Sequence, residues 1–205
     1  MKKKTVALLL ALVLVFGVAA GGTLAWLTAQ TSEVKNTFTT AKVNIKLEET
    51  MTPDGVESSS PVTNWSAPII PGATYSKNPV VSVEAGSEAC WLFVKYENND
   101  AAENGVLTFT SNLKDPEWTA GTGSSEGGNG VPVGVWFRKI SAETAKTGVQ
   151  YQLIEGNQVK IDGEQVTKAN MPSGNVTLTY TAYACQLMNG KTEFTSAEAW
   201  NKVGN

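Results

Sequence analysis

The sequence predicts an all-β protein: an antiparallel β-sandwich with one short C-terminal helix, preceded by an N-terminal signal peptide. Three observations carry that reading. Short runs with apolar residues at alternate positions recur along the chain, bounded by Gly, Pro and Asn turns. Charged residues make up 17% of the chain, below the ~25% usual for soluble domains, while short polar side chains are abundant. The first twenty-five residues stand apart in composition from everything after them.

Lys2, Lys3 and Lys4 form a positive start, Val6 to Ala20 is an apolar run, and Gly21-Gly22-Thr23-Leu24-Ala25 supplies small residues for a signal peptidase. No charge occurs between Thr5 and Ser32. Ala25 and Ala29 each offer a small residue at the cleavage position, so the mature chain is expected to start at Trp26 or Gln30. Ala25 is preferred, because Gly21-Gly22-Thr23 breaks the apolar helix just ahead of it. The division expected is therefore 1–25 signal peptide, 26–40 strand donor or linker, and 41–205 β-sandwich domain.

Asn36–Leu47 reads as the first strand, with Val43, Ile45 and Leu47 alternating against Asn44, Lys46 and Glu48. Phe38 is out of phase with that set, which predicts a break near Thr40-Ala41. Residues 49–67 are polar and punctuated by Pro53-Asp54-Gly55 and Ser58-Ser59-Ser60-Pro61, the pattern of a long loop. Pro71-Gly72 turns the chain into a strand over Thr74–Val83, and Ala85-Gly86 turns it into another over Ala89–Tyr96. In the latter, Cys90, Leu92 and Val94 share one face and Trp91 and Phe93 the other, as in a central strand covered on both sides. Further strands are expected at Leu107–Leu113 and Val131–Ile140, separated by a flexible glycine-rich loop, Gly121–Gly130. Tyr151–Ile154 and Gln158–Ile161 flank Glu155-Gly156-Asn157 as a hairpin. Asn175–Leu187, rich in Thr and Tyr, is the strongest single strand. Thr195-Ser196-Ala197-Glu198 is a capping box that opens a helix over Ser196–Lys202.

The composition also removes functions. The 205-residue chain has no histidine, which deletes the HExxH zinc motif, the Ser-His-Asp and Cys-His arrangements and the imidazole base. The formal charge is −3 and becomes more negative once the three leader lysines are lost. Arg138 is the single arginine and no basic stripe exists, so binding to nucleic acid is not expected. No cofactor and no bound metal are expected. The carboxylate pairs Glu48/Glu49 and Asp115/Glu117 have no supporting motif and read as solvated charge. Asn98-Asn99-Asp100 with Glu103 is a weak set of oxygen ligands for calcium. Of the tryptophans, Trp91, Trp136 and Trp200 read as core, whereas Trp65 and Trp118 sit in loop-like stretches where ligand contact is worth testing. Cys90 and Cys185 form a disulfide, which an oxidising exterior permits, or are two buried small apolar residues.

Gly21, Gly22, Thr23 and Ala25, then Asn36, Phe38 and Thr39, then Val43, Ile45 and Leu47 give an order that resembles the TasA/camelysin family of exported Gram-positive proteins. Pro71-Gly72-Ala73-Thr74-Tyr75 and Glu84-Ala85-Gly86-Ser87, each leading into a strand, extend the resemblance over roughly residues 1–96. It implies a jelly-roll-like sandwich, a dedicated signal peptidase and a role in extracellular fibres of a biofilm matrix. Some camelysin relatives are classed as metalloendopeptidases, a role for which this chain lacks the ligands.

The spacer Trp26–Thr40 has few charges, no Pro or Gly, and threonines at 28, 31, 37, 39 and 40. Freed at its N-terminus, it has the composition of a strand that adds to a neighbour's sheet edge. Gln30, Thr31, Asn36, Thr37, Phe38 and Thr39 are the residues assigned to self-assembly, with Phe38 as the one large anchor; the alternative is an ordinary first strand of its own sheet. The expected role is a secreted, non-enzymatic structural subunit of the extracellular matrix or cell surface. Its partners would be copies of itself, the signal peptidase and an accessory matrix or anchoring protein. The rival reading is a membrane-anchored surface domain, since Val6–Leu27 as a helix is about 33 Å long, enough for the hydrocarbon core. The C-terminal residues carry no LPxTG-like sorting motif.

Overall fold

The computed structural model describes residues 42–62, 64–98, 105–124, 126–164, 166, 171–172 and 176–204. All belong to the unit that runs from Thr40 to the C-terminus, and the signal-peptide and donor-segment assignments lie outside the described residues. Within the unit the chain is mostly β, in several antiparallel sheets, with two helices.

The first sheet places β3 (Val80–Val83) between β1 (Ile45–Glu48) and β8 (Val149–Gln152). Ile45 and Leu47 point inward while Lys46 and Glu48 are exposed, as the alternation requires. The second sheet has the order β10 (Leu178–Gln186), β4 (Cys90–Asn98), β7 (Val135–Ile140), β6 (Thr119–Ala120). The long pair β4–β10 runs in register from Cys90↔Gln186 to Asn98↔Leu178. Period-two alternation gives β4 two apolar faces, and both are used. Cys90, Leu92 and Val94 are fully buried with Val81 and Val83 of β3 in a core between the two sheets, where Ile140, Leu113, Leu153 and Trp118 join them. Phe93 faces the opposite side, with Phe137 of β7 and Cys185 of β10.

That second face is closed by the C-terminal helix, which spans Ser196–Val203. Thr195 caps it: the Glu198 amide donates to Thr195 Oγ1, and the Glu198 carboxylate accepts from the Thr195 amide at 2.8 Å. Trp200 then packs edge-on to Phe93 and Tyr183, with centroids 5.3 and 5.2 Å away. A shorter helix, Ala142–Thr147, links β7 to β8 and was not anticipated from the sequence. Its signals are Ser141, whose Oγ accepts from the Thr144 amide, and Gly148 just past its end. Gly148 has φ +82° and its Cα faces the Ala85 backbone, where a Cβ would come within 3.0 Å of the amide nitrogen.

The third sheet is small: β2 (Thr74–Ser76), β9 (Gln158–Ile161) and β5 (Leu107–Thr108), with β9 central. It has its own core of Val106, Ile161 and Val166, packed by Ile69, Tyr75 and Val176. A two-stranded hairpin, β11 (Met188–Asn189) and β12 (Thr192–Glu193), precedes the C-terminal helix.

This third sheet corrects two expectations. Thr74–Val83 is not one strand: β2 and β3 lie in different sheets, divided at Asn78-Pro79. Pro79 has no amide to donate, and Asn78, buried, turns its side chain to another segment, accepting from the Thr50 and Met51 amides and donating to Thr50 Oγ1. Likewise β8 and β9 do not form a hairpin with each other. β8 pairs with β3, β9 pairs with β2 and β5, and a tight turn at Glu155–Asn157 carries the chain between sheets. Leu107–Leu113 shortens to Leu107–Thr108, because Ser111 caps a helical turn at Asn112–Lys114 that buries Leu113. The described part of Gly121–Gly130 holds no helix or strand and is pinned by Asn129, whose side chain bonds the Thr122 amide and the Ala120 carbonyl.

Candidate functional site

Two features of the described surface have the properties of sites, and they meet at the start of β10. The first is the outer edge of that strand. The Leu187 amide donates to the Ala89 carbonyl, which fixes the phase of the β4–β10 ladder: odd-numbered residues of β10 bond to β4. The amides and carbonyls of Leu178, Tyr180, Ala182, Ala184 and Gln186 therefore point away from β4. Among the described residues no strand pairs with them. The other edge strands of the two main sheets, β1, β8 and β6, are four residues or shorter, whereas β10 has nine. It contains no charge and no proline. Natural sheets usually blunt edges by shortness, lysine or proline, and β10 has none of these.

The second feature is a groove of ≈ 460 Å³ between the third sheet and the start of β10. Its floor is apolar, from Ile69, Leu107, Val159, Ile161 and Val176. One wall is an interlocked set. Lys77 Nζ lies 2.6 Å from Glu49 Oε1, with both side chains largely buried. The same ammonium stands 5.4 Å from the Trp65 ring centroid, and Trp65 Nε1 donates to Glu49 Oε2 at 3.4 Å. Tyr75 tilts against Trp65, centroids 6.3 Å apart, and its hydroxyl donates to the Pro68 carbonyl at 2.6 Å. The rim carries Asn64, Ser66, Thr177 and Thr179.

No family model, curated protein or solved structure matches this chain.

Of the residues singled out by the sequence, Ala25, Ala29, Gln30, Thr31, Asn36, Thr37, Phe38 and Thr39 lie outside the described residues. So do Asn99, Asp100 and Glu103 of the calcium candidate. Among the described residues no group of three or more His, Cys, Asp or Glu is arranged to hold a metal ion, and no helix is long and apolar enough to cross a membrane. Cys90 and Cys185 are neighbours on adjacent strands but are not brought together. Cys185 pairs with Trp91 and Cys90 with Gln186, so the thiols point to opposite faces, and both are free and buried. Burial pushes the Cys90 thiol up to about 11, with Cys185 adding to the shift; burial also raises Cys185, partly offset by Lys202.

The carboxylate pairs separate in the same way. Glu49 is held by Lys77, while Glu48 is exposed on β1. Glu117 pairs with Arg138, and Asp115 Oδ1 accepts from the Glu117 amide. Trp118 is no surface platform: it is buried against Arg138 and Tyr151 in the core between the sheets. Trp65 does line a groove. The partners that define that groove, Glu49, Tyr75 and Lys77, were not legible as a group, because they come from a loop and from a strand whose break at Pro79 had been missed.

Proposed function

We propose that the protein is an exported structural subunit that assembles into an extracellular fibre by strand addition, on a jelly-roll-like sandwich of the kind the TasA/camelysin resemblance implies. The observation that carries this is the outer edge of β10: nine residues, uncharged, without proline, with five residues' backbone groups turned away from β4 and paired with no strand among the described residues. Such an edge accepts an extended segment with backbone hydrogen bonds along its length. The segment Gln30–Thr39 supplies the matching composition: threonine-rich, without Pro or Gly, and with Phe38 as an anchor.

A contact between one copy's N-terminal segment and another copy's β10 is heterologous, so unless it closes a ring it propagates. Cleavage after Ala25 or Ala29 would free the donor end. The absence of histidine from the whole chain argues against the peptidase role.

Mass spectrometry of the exported protein, followed by electron microscopy of the protein lacking Gln30–Thr37, tests the reading. A mature N-terminus at Trp26 or Gln30 is expected for the exported protein, and a folded monomer without fibres for the deletion variant. Recovery of full-length, membrane-bound protein alone would favour the anchored domain. Fibres from the deletion variant would reduce the segment to a linker.

A further inference from the structure

The groove beside Trp65 adjoins the start of the β10 edge, with Leu178 and Thr179 in its lining, and presents side chains where the edge presents backbone groups. Its two ionised groups neutralise each other: Lys77 and Glu49 are 2.6 Å apart and largely buried. A charged ligand would have to break that pair to gain a partner, and removing one member of a buried pair is costly. The rest of the lining is uncharged. Aromatic surface from Trp65 and Tyr75 stands beside an aliphatic floor, and the rim offers amide and hydroxyl groups from Asn64, Ser66 and Thr179, all exposed. An apolar body with a few convergent polar groups, at ≈ 460 Å³, is of ligand-site size.

The occupant this chemistry selects is neutral and amphipathic: one face of C–H groups for the aromatic wall, and hydroxyls around its edge for the rim. We infer that the groove binds a neutral saccharide unit, held against Trp65 and Tyr75 with its hydroxyls bonded to Asn64, Ser66 and Thr179. Trp65 is already braced by Lys77 and by its hydrogen bond to Glu49, so its ring is ordered before a ligand arrives and little side-chain entropy is lost on binding.

The test uses the full exported chain with cellobiose, maltose and N,N′-diacetylchitobiose as probes, read by saturation-transfer NMR and by titration. Saturable binding of at least one neutral disaccharide is expected. Trp65→Ala should weaken it about tenfold or more, and Asn64→Ala, a rim change that leaves the fold alone, should weaken it less. Glucosamine and glucuronate, charged in opposite senses, should bind no tighter than glucose. Absence of saturable binding across the panel overturns the inference, as does binding that Trp65→Ala leaves intact in protein with native circular dichroism. So does displacement of no sugar but tight capture of a synthetic peptide of residues 30–41, which would make the groove part of the assembly contact.

Discussion

Arg138 stacks on Tyr151, its guanidinium carbon 4.0 Å from the ring centroid. Trp118 is also near, at 5.3 Å, and packs on Tyr151 itself with centroids 5.6 Å apart, so the chain's single arginine lies against a pair of aromatic rings at the margin of the core between the sheets. Its side chain is only 13% exposed, whereas its ion-pair partner Glu117 is 69% exposed. An ion pair to so exposed a carboxylate contributes little, and the stacking carries the interaction. Arg138→Lys keeps the charge and loses the planar group, and should cost about 1–2 kcal/mol. Glu117→Gln should cost less than about 1 kcal/mol. Urea unfolding midpoints of the two variants give the comparison, and equal losses would mean that the ion pair, not the rings, fixes Arg138.

The thiols supply a second expectation. Cys90 and Cys185 face opposite sides of one sheet, and burial raises both. Native protein purified under oxidising conditions should therefore retain two free thiols. They should resist iodoacetamide at neutral pH in the native state and both react after unfolding, because the thiolate is the nucleophile. A mass showing an intramolecular disulfide in native, folded protein would contradict the register.

What the sequence disclosed and what it hid divide along local and non-local lines. The Thr195/Glu198 capping box and the Ile45, Leu47 alternation are local signals, and the helix and β1 stand on them, although β1 begins only at Ile45 and leaves out Val43, which the expected strand Asn36–Leu47 includes. The two-faced burial of β4 was legible for the same reason. Which strands pair was not. Gln158–Ile161 looked like the second arm of a hairpin with Tyr151–Ile154, yet its partners are β2 and β5, far away in sequence. The disulfide question was undecidable for a related reason, since a shift of one residue in register moves a side chain to the other face. The helix at Ala142–Thr147 was missed although Ser141 and Gly148 mark its ends, because six residues carry too little periodicity to separate from a turn.

Tyr180 offers a stability prediction. Its hydroxyl is buried without a hydrogen-bond partner among the described residues, and burial, with Tyr96 and Glu49 nearby, pushes its ionisation well above the ordinary phenol range. A buried donor left unpaired costs the desolvation of that group. Tyr180→Phe should therefore stabilise the fold by about 1 kcal/mol, seen as a higher urea midpoint at unchanged slope. A loss of stability would show that the hydroxyl has a partner in solution.

Acid should act on the C-terminal helix. The Thr195 amide and hydroxyl both donate to Glu198 and hold its carboxyl below the usual range. A depressed folded value means that the stabilisation is complete above the ordinary glutamate range, near 4.3, and is lost as pH falls through the folded value. Glu198→Gln keeps a capping group but cannot titrate, so the variant should show a shallower loss of melting temperature below about pH 4. Identical acid slopes for the two proteins would remove Glu198 from the account.

The edge of β10 can be tested without touching the core of the sheet. The Ala182 amide points away from β4, since odd-numbered residues of the strand make that ladder. Proline at this position removes an outward donor and none of the hydrogen bonds to β4, which is the arrangement in which an edge strand tolerates proline. Thr181→Lys instead places a charge on the strand, the device natural edges use against pairing. If the protein assembles as proposed, both variants should fold and remain monomeric under conditions in which the unsubstituted protein forms fibres, with Ala182→Pro the more complete block. Phe38→Ala should also weaken assembly, and more than Thr39→Ala, because a large side chain is what anchors an added strand in a pocket. Sedimentation and electron microscopy read all four. Normal fibres from both β10 variants would move the acceptor to another edge, and fibres lost only in Phe38→Ala would leave the donor segment assigned and β10 uninvolved.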